Sequence, residues 1–175
     1  NLRPLKVWNQ QGIYYLYIST LGQELMVVHL KPDGSNIRQK IPLLDVKFVQ
    51  FFDASEDQVL ISVRIDSKPT VFLFDLEEGR LKTIEGFYEK ELKLLECQID
   101  PQNRLISIIK EEVKNKERVL LLKNYDYEGH LLREVALEVP ESQRLNSASV
   151  TNIKGGNQFI VGDYVNAGKK GTTGS

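Results

Sequence analysis

Cysteine is almost missing from this chain of 175 residues, with Cys97 the single example. One thiol excludes an intrachain disulfide and any cluster of cysteine ligands. It lies in the apolar stretch Leu92 to Ile99, where a buried, inert thiol is expected rather than a reactive one. Histidine is nearly as scarce. His29 sits inside an apolar run and His130 directly follows Gly129, with no H-x-x-x-H spacing, so no histidine-built metal site is expected. No apolar run reaches the roughly 18 residues of a membrane-spanning helix. An excess of one charge is absent too: 23 Lys and Arg face 24 Asp and Glu, a net charge of −1. No global field therefore favours nucleic acid or an anionic membrane.

Motifs that carry chemistry are also absent. Neither the nucleophile elbow G-x-S-x-G nor the phosphate loop G-x-x-x-x-G-K-[ST] occurs. Gly168-Lys169-Lys170-Gly171-Thr172 has residue types in common with a phosphate loop but lacks its order and its strand-to-helix setting. Acidic turns such as Asp53, Glu56 and Asp57 raise the question of calcium, which takes about six to eight oxygen ligands. The matching turn Asp100-Pro101-Gln102-Asn103 has one carboxylate, so solvated turns are expected. No catalytic residue, cofactor or metal is assigned.

What the chain does have is a recurring unit. An acidic or amide-rich turn precedes a short apolar run at Asn9 to Ile18, Asp53 to Val63, Asp100 to Ile109 and Asn152 to Val161. A second turn recurs between apolar runs as Lys31-Pro32-Asp33-Gly34, Leu76-Glu77-Glu78-Gly79 and Asp126-Tyr127-Glu128-Gly129. The glycines of this second turn are 45 and 50 residues apart, and the first turns keep nearly the same spacing. Glycine accepts the positive φ of a tight hairpin, and a neighbouring Asp bonds back to the local backbone. The runs between the turns are rich in aromatic and β-branched residues, as in Ile13-Tyr14-Tyr15-Leu16-Tyr17-Ile18. They read as strands, and near-continuous apolarity suits strands covered on both faces.

A period of about 40–50 residues built from four short strands resembles the blades of β-propeller repeat proteins. The resemblance runs from Leu5 to Val165. The tryptophan–aspartate dipeptide is absent, since Trp8 precedes Asn9. The kelch signature is absent as well, since Gly155-Gly156 leads into Asn157-Gln158-Phe159. The expectation is an all-β chain with units at about 5–41, 46–84, 92–139 and 148–165, three complete and the last half a blade. The alternative is a two-sheet β-sandwich. Residues 166–175, rich in glycine, lysine and threonine, are expected to form a flexible loop or tail. The charged stretch Glu111 to Glu117 is expected to be a solvated hairpin tip. The half unit, and a first residue Asn1 that is not methionine, lead to the expectation of a fragment of a larger propeller, with a lean toward a secreted or periplasmic location.

For function, the expectation is a non-catalytic binding or scaffold module that presents loops to a partner protein or a glycan. The remaining blades of the same propeller are also candidate partners. The alternative is part of an enzyme whose site lies at the central channel, with residues outside this chain. The partner-binding candidates are Tyr14, Tyr15, Tyr125 and Tyr127. Residues Tyr14, Tyr15 and Tyr17 alternate along one strand, so at least one faces a core.

Overall fold

A computed structural model describes residues 5–9, 12–18, 24–42, 46–55, 57–65, 68–86, 93–114, 117–138, 143–153 and 157–166. Residues 87–92, residues 115–116 within the charged stretch Glu111 to Glu117, and residues 167–175 of the expected tail lie outside them. The described residues form strands and turns without a helix. In order the strands are β1 (Leu5–Asn9), β2 (Gly12–Ile18), β3 (Glu24–Leu30), β4 (Asn36–Pro42), β5 (Val46–Ala54), β6 (Gln58–Ile65) and β7 (Lys68–Asp75). They continue as β8 (Arg80–Gly86), β9 (Lys93–Asp100), β10 (Leu105–Lys114), β11 (Glu117–Asp126), β12 (Leu131–Leu137), β13 (Gln143–Ile153) and β14 (Asn157–Asn166). The chain is all-β, in several antiparallel sheets.

Each sheet is a meander in which chain order and spatial order coincide: β1–β4, β5–β8, β9–β12, and the pair β13–β14. We call these sheets 1 to 4. The hairpin chemistry expected from the sequence is present. The Asp75 carboxylate accepts from the backbone N–H of Glu77 and Glu78 at 2.9 and 2.7 Å, and Gly79 N–H closes the turn onto the Asp75 carbonyl. Asp126 accepts from Glu128 and His130 N–H at 2.9 Å each. Gly34, Gly79 and Gly129 all have positive φ, which an L side chain adopts only at a cost.

Side-chain alternation stacks the sheets face to face. Val59, Ile61, Val63, Phe72 and Phe74 of sheet 2 pack with Tyr14, Leu25 and Val27 of sheet 1. The opposite face of sheet 2, with Leu60, Val71, Leu73 and Ile84, packs on Cys97, Ile99, Ile106 and Ile108 of sheet 3. Ile109, Leu120 and Leu122 on the far face of sheet 3 meet Ala148 and Val150 of sheet 4. Sheets 2 and 3 are thus covered on both faces, which is why their strands read as continuous apolar runs. The leading strands β5, β9 and β13 neighbour one another in turn. An Asp53 carboxylate oxygen ties β5 to β9 by accepting from Ile99 N–H at 2.8 Å. Cys97 is fully buried, and burial pushes its thiol well above its ordinary pKa.

Polar side chains cross one of these interfaces in a closed ring. Ser107 Oγ donates to Asn124 Oδ1 at 3.1 Å, Asn124 Nδ2 to Gln158 Oε1 at 2.9 Å, and Gln158 Nε2 to Ser107 Oγ at 2.8 Å. The ring fixes sheet 4 against sheet 3 where Ser107 and Asn124 are buried.

Candidate functional site

A cleft of about 260 Å³ opens between sheet 1 and the turn joining β7 to β8. Tyr14 and His29 form one wall. They are direct cross-strand neighbours on β2 and β3, and their rings stack at 4.0 Å between centroids with 11° between planes. Val27 and Leu76 contribute apolar surface, Gln39 and Glu77 the remaining polar groups, and Ile37, 44% exposed, stands at the mouth.

Two glycines permit this geometry. A Cβ at Gly12 would lie 2.3 Å from the Leu30 carbonyl oxygen, so β2 approaches the end of β3 as closely as it does only because the side chain is missing. A Cβ at Gly79 would lie 2.6 Å from Gln39 Oε1, so the β7–β8 turn sits directly against the Gln39 amide. The cleft therefore combines a phenol, an imidazole, an amide and one carboxylate around an apolar floor. That is a composition for holding a small ligand with both flat and polar parts.

A second polar cluster lies between sheets 2 and 3, with little access to water. Lys110 on β10 donates to Glu85 on β8 and lies 2.5 Å from Glu112. Lys123 on β11 lies 3.3 Å from Glu85, 3.6 Å from Glu112 and 3.1 Å from Glu134 on β12. The Tyr125 phenol lies close enough to Glu85 to feel its charge. Burial alone lowers the pKa of the Lys123 ammonium, but Glu85, Glu134 and Glu112 outweigh it and hold the group above its ordinary value. Burial, and then the Glu85 charge, raise the Tyr125 phenol.

The structure separates the four tyrosines singled out in the sequence. Tyr14 lines the cleft. Tyr15 points to the opposite face of β2 and is half-buried. Tyr125 and Tyr127 are buried between sheets 2 and 3. The Arg104 guanidinium sits 4.8 Å from the centre of the Tyr127 ring. Burial, and then the Asp57 charge, push the Tyr127 phenol up to about 12. The carboxylates of the acidic turns accept from backbone N–H groups. Asp53 binds Ala54 and Ile99 N–H, and Asp100 binds Gln102 and Asn103 N–H. Among the described residues no group of three or more acidic, His or Cys side chains is placed to hold a metal.

Sequence reasoning missed the ionic cluster and read Glu111 and Glu112 as part of a solvated tip. Glu112 instead faces Lys110, with its side chain only 17% exposed, and Glu111 bonds Arg118 at 2.7 Å. A signal was available. Lys110 and Glu112 continue the alternate positions of Ile106 and Ile108, so they point into the same interface. No protein-family model and no curated protein matches the chain.

Proposed function

We propose that the stacked sheets are successive blades of a β-propeller arc, and that the arc is a non-catalytic binding module for a partner protein or a glycan. The observation that carries this reading is the common placement of the turns. In each four-stranded sheet the turns after the first and third strands lie at one end, as a meander requires. The turns after β7 and β11 each lean on the sheet before: Gly79 on Gln39 of β4, and Gly129 on the backbone of Thr83 in β8. Their tips, with Glu78 and Glu128, are exposed. A row of polar turns on a rigid stack of sheets is a recognition surface of the kind loops supply. The propeller reading is supported over a two-layer sandwich by the covering of sheets 2 and 3 on both faces.

The experiment is a screen of the chain on glycan and peptide arrays, alongside a variant with Glu78→Lys and Glu128→Lys. These are surface positions, so melting should move by no more than about 1 kcal/mol. Retention on some class of array, at least tenfold weaker for the variant, is the expected result. Blank arrays combined with turnover in a panel of hydrolase and lyase substrates would move the chain to the enzyme alternative. Blank arrays without turnover would remove the binding reading.

A further inference from the structure

We propose that the outer edge of β14 takes up a β-hairpin of a partner protein, which extends sheet 4 and covers the rest of sheet 3. The inference rests on reading the chain as a binding module for a partner protein, and names a site on it apart from the row of turns. In sheets 1 to 3 the second strand (β2, β6 or β10) is paired on both sides. β14 is the second strand of sheet 4, and among the described residues it pairs with β13 alone. Its composition is nonetheless that of an inner strand. The edge strands of the other sheets carry the charges and the proline that keep edges from pairing. These are Arg38, Lys40 and Pro42 on β4, Arg80, Lys82 and Glu85 on β8, and Arg133 and Glu134 on β12. β14 has the run Phe159-Ile160-Val161, no lysine, arginine or proline, and a single charge, Asp163. That charge is already engaged within the sheet, where Ser147 Oγ of β13 donates to it at 3.0 Å.

The face beside this edge calls for a hairpin rather than a single strand. Between sheets 2 and 3, all four strands of sheet 2 reach the interface, through Phe52, Leu60, Val71 with Leu73, and Ile84. Between sheets 3 and 4, the contribution of sheet 4 is Ala148 and Val150 of β13 and Ile160 of β14. Sheet 3 offers its full width there. Leu120 and Leu122 of β11 are buried, but their cross-strand partners Leu137 and Val135 on β12 are only half-buried. A two-stranded guest beside β14 lies over that remainder and continues an interface the molecule already has. The third strands of sheets 1 to 3 show what the guest needs. Residues 25–28, 71–74 and 119–122 are runs of Leu, Met, Val and Phe. The partner is therefore a hairpin whose first strand has such an apolar run and pairs antiparallel with β14. Main-chain hydrogen bonds give affinity in this mode, and alternate side chains give selectivity.

The probe is a synthetic peptide with the sequence of residues 68–86, the third and fourth strands of sheet 2. Calorimetry measures its binding to the whole chain, and amide hydrogen exchange by NMR reports where it binds. A Kd of about 100 μM or tighter is expected. New protection should appear at alternate amides of residues 157–166, those that face away from β13. The same peptide with Val71→Pro and Phe72→Pro loses ladder donors on both sides of its first strand and should bind at least tenfold more weakly. In the protein, Val135→Asp places a charge beneath the guest and should also weaken binding at least tenfold. Should that variant not fold, the proline peptide and the exchange pattern decide. No binding at about 1 mM peptide, or binding without new protection in β14, would overturn the proposal. So would alternate amides already protected in the free chain at low concentration, since the edge would then be filled from within. Protection that appears only as protein concentration rises would give the edge to a second copy and overturn the partner assignment. Array binding that persists while β14 stays unprotected would remove this inference alone. Blank arrays as well would remove the binding reading beneath it.

Discussion

Replacing Lys110 by methionine should destabilise the protein far more than any surface lysine substitution. The Lys110 side chain is 4% exposed and touches Glu85 and Glu112, whose side chains are 10% and 17% exposed. Methionine keeps much of the stem volume and removes the charge. Among the described residues, Lys123 would then be the cation beside the two shielded carboxylates, at 3.3 and 3.6 Å. One Glu85 oxygen already makes no hydrogen bond among the described residues, so little spare solvation exists to absorb the loss. Removing one partner of a buried ion pair costs about 3–5 kcal/mol. With a urea m-value of about 2 kcal/mol per molar, the midpoint should fall by about 1.5–2.5 M. Lys40→Met is the control. Its partner Glu24 is 3.4 Å away and the two side chains are 64% and 36% exposed. Exposed pairs contribute less than about 1 kcal/mol, so that midpoint should barely move. The double variant Lys110→Met with Glu85→Leu should recover much of the loss, since apolar replacement of a whole buried pair is often neutral. Equal midpoints for Lys110→Met and Lys40→Met would refute the reasoning and mean that water reaches the cluster.

The turn glycines should rank by what their missing Cβ would meet. Gly34→Ala, with open space around it, should cost about 1 kcal/mol for positive φ alone. Gly129→Ala adds an overlap at 2.7 Å with the rigid Thr83 carbonyl and should cost about 2–3 kcal/mol, with Gly79→Ala between them because the Gln39 side chain can move. Thermal melts of the three variants check the order, and equal losses would mean that the turns do not bear on the preceding sheet. Alkaline pH should destabilise the fold before it changes the native tyrosines. Tyr127 titrates near 12 in the native state, raised by burial and by Asp57, whereas an unfolded tyrosine titrates near 10. Its contribution is complete below about pH 10 and is lost as pH rises toward 12, because the unfolded chain releases the proton first. Urea midpoints from pH 8 to 11.5 should therefore fall, with Cys97 and Tyr125, also raised by burial, adding to the loss, and Tyr127→Phe should lessen the part of the fall above about pH 10.

The all-β class was legible because its signals are local. Each Asp and Gly of a hairpin acts on its own turn, and each strand shows its covered faces in its own composition. Boundaries faded where the paired residues are polar. The final hairpin begins at Gln143, where Arg144 pairs with Val165 and Gln143 with Asn166. Polar residues there carry no apolar alternation, so the reading from composition starts the strand at Ala148. The bulge that offsets Ile109 and Lys110 against β9 likewise leaves no trace in composition. The cleft was not legible at all. Cross-strand pairing sets Tyr14, His29 and Ile37 in one row of sheet 1, and the stacking of sheet 2 brings Leu76 against them.

Repetition and variation play separate roles in this chain. The Asp that caps the turn and the Gly with positive φ recur in sheets 2 and 3, and each turn bears on the sheet before it, Gly79 on the Gln39 side chain and Gly129 on the Thr83 backbone. The residue directly after the Asp differs: Leu76 in one unit, Tyr127 in the next. A large aromatic seals the interface and draws a cation onto its ring, as Arg104 lies over Tyr127. A shorter aliphatic keeps the packing at the base but leaves room beyond it. The same turn position therefore meets two different grooves, Tyr127 in a buried interface beside Arg104 and Leu76 in the lining of the cleft.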